Sequence, residues 1–410
     1  MTETSRDPPT TSDPATLIIG AIAAQVIGGL ITQMSPLVIA GLIDGLWLSE
    51  SEAGLVASIE FLVLAAAAIV IAPILPRISC RSTALAGVAL TLMAGSASIF
   101  STSWPSFAAL RGLAGLGEGA IYAVSLAVVA SRCANPDRVY GYFQLVWASG
   151  SVALFWIGGE LTAAFAYRGI LGLIAAVTLA LAPLLFFLPK TPTNNAAGGA
   201  ADAARGSRVL GVMTLAAIVL YVAVSAAVYT FSAPLGERAG LDTRQVGYAL
   251  TVGSLAGLAG AGAATVFNVR WGRAIPISGF CVAFSLAMLV LCLSHNPIAY
   301  LVALVGSFIV FYFSMPYLFG LAAALDRPGR WAAAAGSAYL CGFAAGPAVA
   351  GAVTGAGGYA SLAAVSVSIT VVVWGLAMFI NRRLTKTPGP RSLAADGWDG
   401  RGQEVPERLE

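Results

Sequence analysis

The sequence predicts an all-α membrane protein in which twelve transmembrane helices form two pseudo-symmetric six-helix bundles. Three observations carry that expectation. First, the 410 residues are 58% apolar and only 10% charged, with a mean hydropathy of +0.84, far from the averages of soluble domains. Second, the apolar residues gather into twelve runs, near 16–43, 53–75, 84–100, 107–130, 139–165, 169–188, 209–231, 245–267, 275–293, 297–324, 331–356 and 359–380. Most approach the ~20 residues a helix needs to cross hydrocarbon. Third, the two halves repeat one another. At an offset of 193, Leu48, Gly54, Leu62, Ala66, Ala68 and Arg77 fall on Leu241, Gly247, Leu255, Ala259, Ala261 and Arg270; at 192, Arg138, Gly150 and Gly159 fall on Arg330, Gly342 and Gly351. The Gly- and Ala-rich texture suits packed helices and lacks the alternation of barrel strands.

The chain then divides into a polar N-terminus, 1–14, a first bundle, 15–188, a linker, 189–208, a second bundle, 209–381, and a tail, 382–410. The tail, rich in Gly, Pro and charge, reads as disordered. The first apolar run is too long for a cleaved signal peptide and is expected to stay as the first span. Placing both termini in the cytoplasm leaves only Arg168, Arg238 and Arg244 in outward connections and Arg111 within a span, with the rest of the 22 basic residues inside. That is the asymmetry of a multi-pass protein of the cytoplasmic (inner) membrane. A monomer in the lipid bilayer is expected. The net charge of +3 reports topology, and no basic patch interleaved with aromatics points to nucleic acid. The five cysteines, with Cys80 and Cys133 in connections and Cys281, Cys292 and Cys341 in helices, lack metal-ligand spacing and are expected to be reduced thiols. No metal and no cofactor are expected.

In the fourth run, Arg111 and Glu118 are the only charges between Phe107 and Ala130. Charges at such depth are expensive and face a bundle interior or a watery cavity. Glu60 stands about eight residues into the second run, roughly 12 Å below the outer surface; Arg111, about six residues past Pro105, lies roughly 9 Å deep. Matched depths allow an ion pair, each charge being otherwise uncompensated in a poor dielectric. Glu118 shares a face with Arg111 about 10 Å further along the axis, and because helical side chains lean toward the N-terminus, Arg111 is expected to lean away from it. A carboxyl without a close cation is expected to trade a proton with water as the cavity opens to either side. Glu118, Arg111 and Glu60 are the proton-coupling candidates. The competing assignment is structural, with Arg111 a clamp and Glu118 a packing residue.

Gln25, Thr32 and Gln33, followed by Pro36, draw a polar line through the first run, and Gln144, Trp147 and Ser151, followed by Phe155, share a face of the fifth. Glu160 reads as a solvated rim residue. The second half carries no charge at membrane depth. Its polar content is aromatic and hydroxylic: Tyr221, Ser225 and Tyr229 in the seventh run, Phe308, Tyr312 and Phe319 in the tenth, Tyr339 in the eleventh. Rings with a hydroxyl handle suit an amphipathic or aromatic organic solute. Such spacing also describes any buried helix face, so packing remains the alternative. His295, in an outer turn, excludes a histidine relay.

Over its whole length the chain resembles the major facilitator superfamily: twelve spans, a polar central loop and the half repeat. That family's loop after the second helix reads Gly-x-x-x-Asp-Arg-x-Gly-Arg-Arg; here Ala72-Pro-Ile-Leu-Pro76-Arg77-Ile-Ser79-Cys80-Arg81 keeps Arg77 and Arg81 and loses the acid and the glycine. Val269-Arg270-Trp271-Gly272-Arg273 is the partial counterpart in the second half. By this resemblance Arg77, Arg81, Arg138, Arg270, Arg273 and Arg330 are loop and gating candidates. The fourth-helix pattern Arg-x-x-x-Gly-x-Gly-x-Gly is met by Arg111, Gly115, Gly117 and Gly119, and resembles proton-coupled members, where the arginine is associated with proton transfer. The exporter signature of the fifth helix survives only as Gly150 and Gly158-Gly159, with Leu154 and Phe155 replacing its Gly-Pro, while Gly342-x-x-x-Gly346-Pro347 sits in the eleventh run; this argues against drug export by antiport.

The expected function is secondary active transport of a small organic solute by alternating access, coupled to protons. An uncoupled uniporter is the alternative within transport, and a non-transporting sensor with this fold the alternative outside it. An enzyme is not expected, since no catalytic constellation or phosphate-cradling loop is present.

Overall fold

The computed structural model describes residues 14–133, 136–190, 205–267, 272–325 and 330–386. The expected polar N-terminus, most of the linker and the tail lie outside the described residues. All regular structure among the described residues is helical: α1 (Ala15–Leu46), α2 (Glu50–Ile71), α3 (Cys80–Ile99), α4 (Trp104–Arg132), α5 (Pro136–Leu181), α6 (Arg205–Thr230), the short α7 (Ser232–Arg238), α8 (Thr243–Phe267), α9 (Ala274–Leu293), α10 (Pro297–Ala323) and α11 (Arg330–Lys386). Short 3-10 turns follow α2 (Leu75–Arg77) and α5 (Ala182–Phe187).

Ten of these helices are long and apolar enough to cross a membrane. Two are too long for one crossing: the 46 residues of α5 and the 57 of α11 would each reach about twice the thickness of hydrocarbon or more at ~1.5 Å per residue. Each is broken once by left-handed backbone, at Ala166 (φ 50°) in α5 and Gly358 (φ 69°) in α11. Read as turns, these breaks give the arms 136–165 and 167–181, and 330–357 and 359–386. The twelve expected spans rest on that reading of ten continuous helices.

Local chemistry sets the other ends. Ser49 opens α2 with a capping box: its hydroxyl accepts from the Glu52 N–H, and the Glu52 carboxylate accepts from the Ser49 N–H at 2.9 Å. Asn296 opens α10 by accepting from the N–H groups of Ile298 and Ala299, with Pro297 in the first turn. Trp47, at φ 55°, ends α1.

In the first half α4 packs against α1, α2 and α3; in the second, α10 meets α8 and α9 while α11 lies along α6 and α9. The halves meet where α2 crosses the first arm of α11 and α5 crosses α8. The two crossings are built alike. A methyl group on Gly54 would lie 2.4 Å from the Pro347 carbonyl oxygen and 3.3 Å from the Gly351 Cα; one on Gly247 would lie 2.7 Å from the Phe155 carbonyl oxygen and 3.0 Å from the Gly159 Cα. Gly54 repeats as Gly247 and Gly159 as Gly351, so the internal repeat maps one contact onto the other, as parallel repeats around an axis along the membrane normal require.

Polar bonds reinforce both crossings. The Ala348 N–H donates to Ser58 at 2.7 Å, and the Tyr359 hydroxyl donates to the Glu50 carboxylate. Glu160 accepts from Tyr248 at 2.7 Å and pairs with Arg244 at 2.9 Å. Expected as a solvated rim residue, Glu160 is half-buried and ties the halves together. All these contacts lie at the end where α1 hands over to α2, and there the halves are closed against each other.

Only glycine fits at Gly247, so Gly247→Val should wedge the closed end apart. In a background without other cysteines, a cysteine at Ser58 should then react with a maleimide several-fold faster. An unchanged rate in folded protein would show that the crossing does not hold the end closed.

Candidate functional site

The fourth-helix glycines turn out to be approach points. A methyl group on Gly115 would lie 2.4 Å from the Glu60 carbonyl oxygen, one on Gly119 2.2 Å from that of Leu64, and one on Gly117 2.4 Å from that of Gly87. Gly115 and Gly119 let α2 lie against α4, and Gly117 lets α3 do so on another side. Packing thus levels Glu60 with Gly115, one turn beyond Arg111. The arginine spans that turn: its Nε donates to Glu60 Oε2 at 2.9 Å and its Nη2 to Oε1.

Here the structure corrects the sequence reading. Arg111 does not lean away from Glu118; drawn along α4 toward Glu60, its Nη2 comes within 3.7 Å of Glu118 Oε1. The other oxygen, Glu118 Oε2, is buried with no hydrogen-bond partner among the described residues. Glu60 and Arg111 are 2% exposed and Glu118 1%. Two carboxyls therefore share one guanidinium out of contact with water. With both ionised the group carries a net negative charge, which a low-dielectric interior strongly disfavours.

A separate cavity of about 110 Å³ lies between α1 and the second half. Of the solute-contact candidates it brings together Thr32, Gln33, Ser225, Tyr229, Phe308, Tyr312 and Tyr339. It adds Phe284, Met288, Ser307, Phe311 and Phe343, which sequence reasoning missed. The Tyr229 hydroxyl donates to the Gln33 carbonyl, and the Ser35 and Thr230 hydroxyls meet at 3.4 Å, so α1 and α6 are joined across the halves at this level. The rings of Phe308 and Tyr312 rest on Gly253 and Gly257 of α8, where a methyl group would come within 2.8 and 2.5 Å of them. That Gly-x-x-x-Gly pair was the available signal for where the rings lie.

The remaining candidates fall elsewhere. Gln25 is buried and accepts from Ser125 of α4. Trp147 packs its indole on Gly29 of α1, and Ser151 bonds back to the Ala148 carbonyl at 3.1 Å. Tyr221 is enclosed by Phe280, Phe284 and Phe311, with ring centroids 5.4, 5.0 and 6.4 Å away. Gln144 lies in α5, and its side chain is outside the described set. Among the loop arginines, Arg81 donates to the Leu188 carbonyl at 2.8 Å, tying α3 to the end of the first half; Arg77 is exposed in its 3-10 turn; Arg273 precedes α9. Arg270 lies outside the described residues, as do the side chains of Arg138 and Arg330. His295 accepts from Arg238 Nε at 3.2 Å at the closed end.

A family model described as Major Facilitator Superfamily matches residues 17–327. Among solved structures, a bacterial homologue of the human lysosomal transporter Spinster, inward-facing and unoccupied, superposes with a TM-score of 0.73 at 13% identity, over 92% of this chain and 98% of that one. Its occupied inward-facing form gives 0.71 at 14% identity, over 92% and 98%. The nucleoside transporter NupG gives 0.69 at 13%, over 91% and 99%. At these identities the likeness is one of fold. No curated protein sequence matches.

Removing the shared cation should be costly. Arg111→Met leaves two buried carboxyls unpaired and should lower unfolding stability in detergent by about 3–5 kcal/mol. Adding Glu60→Gln should recover part of that loss, since one carboxyl fewer then lacks a partner. Equal stability of Arg111→Met and wild type would show that the guanidinium is not the group's counter-charge.

Proposed function

The chain belongs to the major facilitator superfamily, and on that premise we propose that this membrane transporter is a proton-coupled secondary carrier that moves a small amphipathic or aromatic solute by alternating access. The termini lie in the cytoplasm, as the basic residues favour, and a monomer suffices, since each half supplies one part of the machinery.

One observation carries the reading: a buried carboxyl oxygen of Glu118 without a hydrogen-bond partner among the described residues, beside a guanidinium that Glu60 already occupies. The group reaches neutrality by holding one proton. On this reading, one state of the transport cycle lets water reach the group, and there the proton can leave. Loss or gain of that proton need only shift the preference between inward-open and outward-open states by a few kcal/mol, because a ligand acts through its differential affinity for the two. The solute binds in the cavity between α1 and α6, α9, α10 and α11, where Tyr229, Phe308, Tyr312 and Tyr339 offer stacking surface and hydroxyls.

A second reading draws on the two-pronged bond from Arg111 to Glu60, the geometry of a structural clamp. On that reading the three residues only hold α2 to α4 and the carrier is an uncoupled uniporter. Glu118→Gln separates the two. In proteoliposomes the variant should lose pH-driven accumulation of the solute while passive exchange continues. Accumulation equal to wild type under the same pH gradient would leave the uniporter standing.

A further inference from the structure

The buried charges and the cavity lining together limit what the cavity can accept. This limit rests on the proton-coupled reading and extends it to the solute. Arg111 is the one basic side chain buried among the described residues, and both carboxyls hold it. Neither it nor Glu60 nor Glu118 lines the cavity, and no charged side chain among the described residues does. A monoanion, which could have drawn on Arg111, finds no cation there. A cation could use the rings but would face no carboxylate, and a desolvated ion without a counter-charge costs far more than a neutral polar group.

The hydroxyls of the lining point to the neutral chemistry that fits. Thr32 donates to the Gly29 carbonyl at 2.6 Å, Ser225 to that of Tyr221 at 2.7 Å and Ser307 to that of Leu304 at 2.6 Å, while Tyr229 donates to that of Gln33. A hydroxyl has one donor and two acceptor lone pairs. With these four donors spent on backbone, their oxygens remain as acceptors, alongside the Tyr312 and Tyr339 hydroxyls, which can both donate and accept.

We propose that the solute is an uncharged aromatic molecule carrying O–H or N–H donors, and that the proton is the only charge crossing the membrane in each cycle. Transport is therefore electrogenic whether the solute moves with the proton or against it.

A panel of aromatic compounds in matched neutral, carboxylate and ammonium forms tests the first part, for example 4-hydroxybenzyl alcohol, 4-hydroxybenzoate and tyramine. Purified full-length protein should be stabilised thermally by neutral members, with the charged members binding at least about tenfold more weakly. Ser307→Asp should shift the preference toward the ammonium members. Stabilisation by charged members at equal or lower concentration, or by no member at all, would overturn the proposal.

The second part is read in proteoliposomes with the neutral compound that binds best. Without a pH gradient, an imposed potassium–valinomycin potential should change its accumulation, up to about tenfold for each ~59 mV. Accumulation that follows a pH gradient but ignores the potential would overturn electrogenic transport and leave proton coupling intact. Accumulation driven by neither would remove the proton-coupled reading and this inference with it.

Discussion

One guanidinium answering two carboxyls is the constraint around which the first half is built. Water would solvate three such charges easily; the interior of a helix bundle cannot, so they must find one another. Arg111 can meet Glu60 only because Gly115 and Gly119 bring the α2 backbone against α4, and it comes near Glu118 only because reaching Glu60 stretches it along the helix. The glycines of the fourth-helix pattern are thus part of the electrostatics. They set the distance at which one cation serves two acids.

The two halves divide the work. Buried charge lies in the first half, between α2, α3 and α4, while most of the cavity lining belongs to the second. α1 touches both. A methyl group on Gly28 would press on the α4 backbone at Glu118 and Tyr122, and one turn later Thr32 and Gln33 line the cavity next to Pro36. A rigid helix in contact with both places is a physical means by which proton occupancy and solute occupancy can bias the same motion, if the proposed coupling operates. The paired glycine crossings at the closed end supply the surface that such a motion must separate.

Much of this was legible in the sequence, and the misses share a physical cause. Runs of apolar residues gave the spans, and isolated charges within them gave Glu60, Arg111 and Glu118. Spacing along one helix is a weaker guide. Tyr221, Ser225 and Tyr229 are four residues apart, but at ~100° per residue each step of four turns the face by about 40°. Ser225 and Tyr229 therefore line the cavity while Tyr221 turns into a nest of phenylalanines. Gln25 and Thr32 do share a face, yet seven residues separate them by about 10 Å of rise, and α4 covers Gln25 where the cavity has ended. The lean of Arg111 is not legible in the sequence, because the level of α2 against α4 is set between helices, by glycines whose partners one sequence does not name. Phe284, Met288 and Phe343 carry no signal in the sequence, because an apolar residue lining a cavity looks like one lining a core.

On the proposed coupling, the buried group holds a single proton between two acids. Infrared spectroscopy of the purified protein, compared in light and heavy water, reads it directly, since a protonated carboxyl has its own carbonyl stretch. At neutral pH the wild type should show one such buried acid, and Glu118→Gln, in which Glu60 and Arg111 balance each other, should lack it. A wild-type spectrum with both carboxyls ionised would contradict the claim and leave the three residues as a clamp.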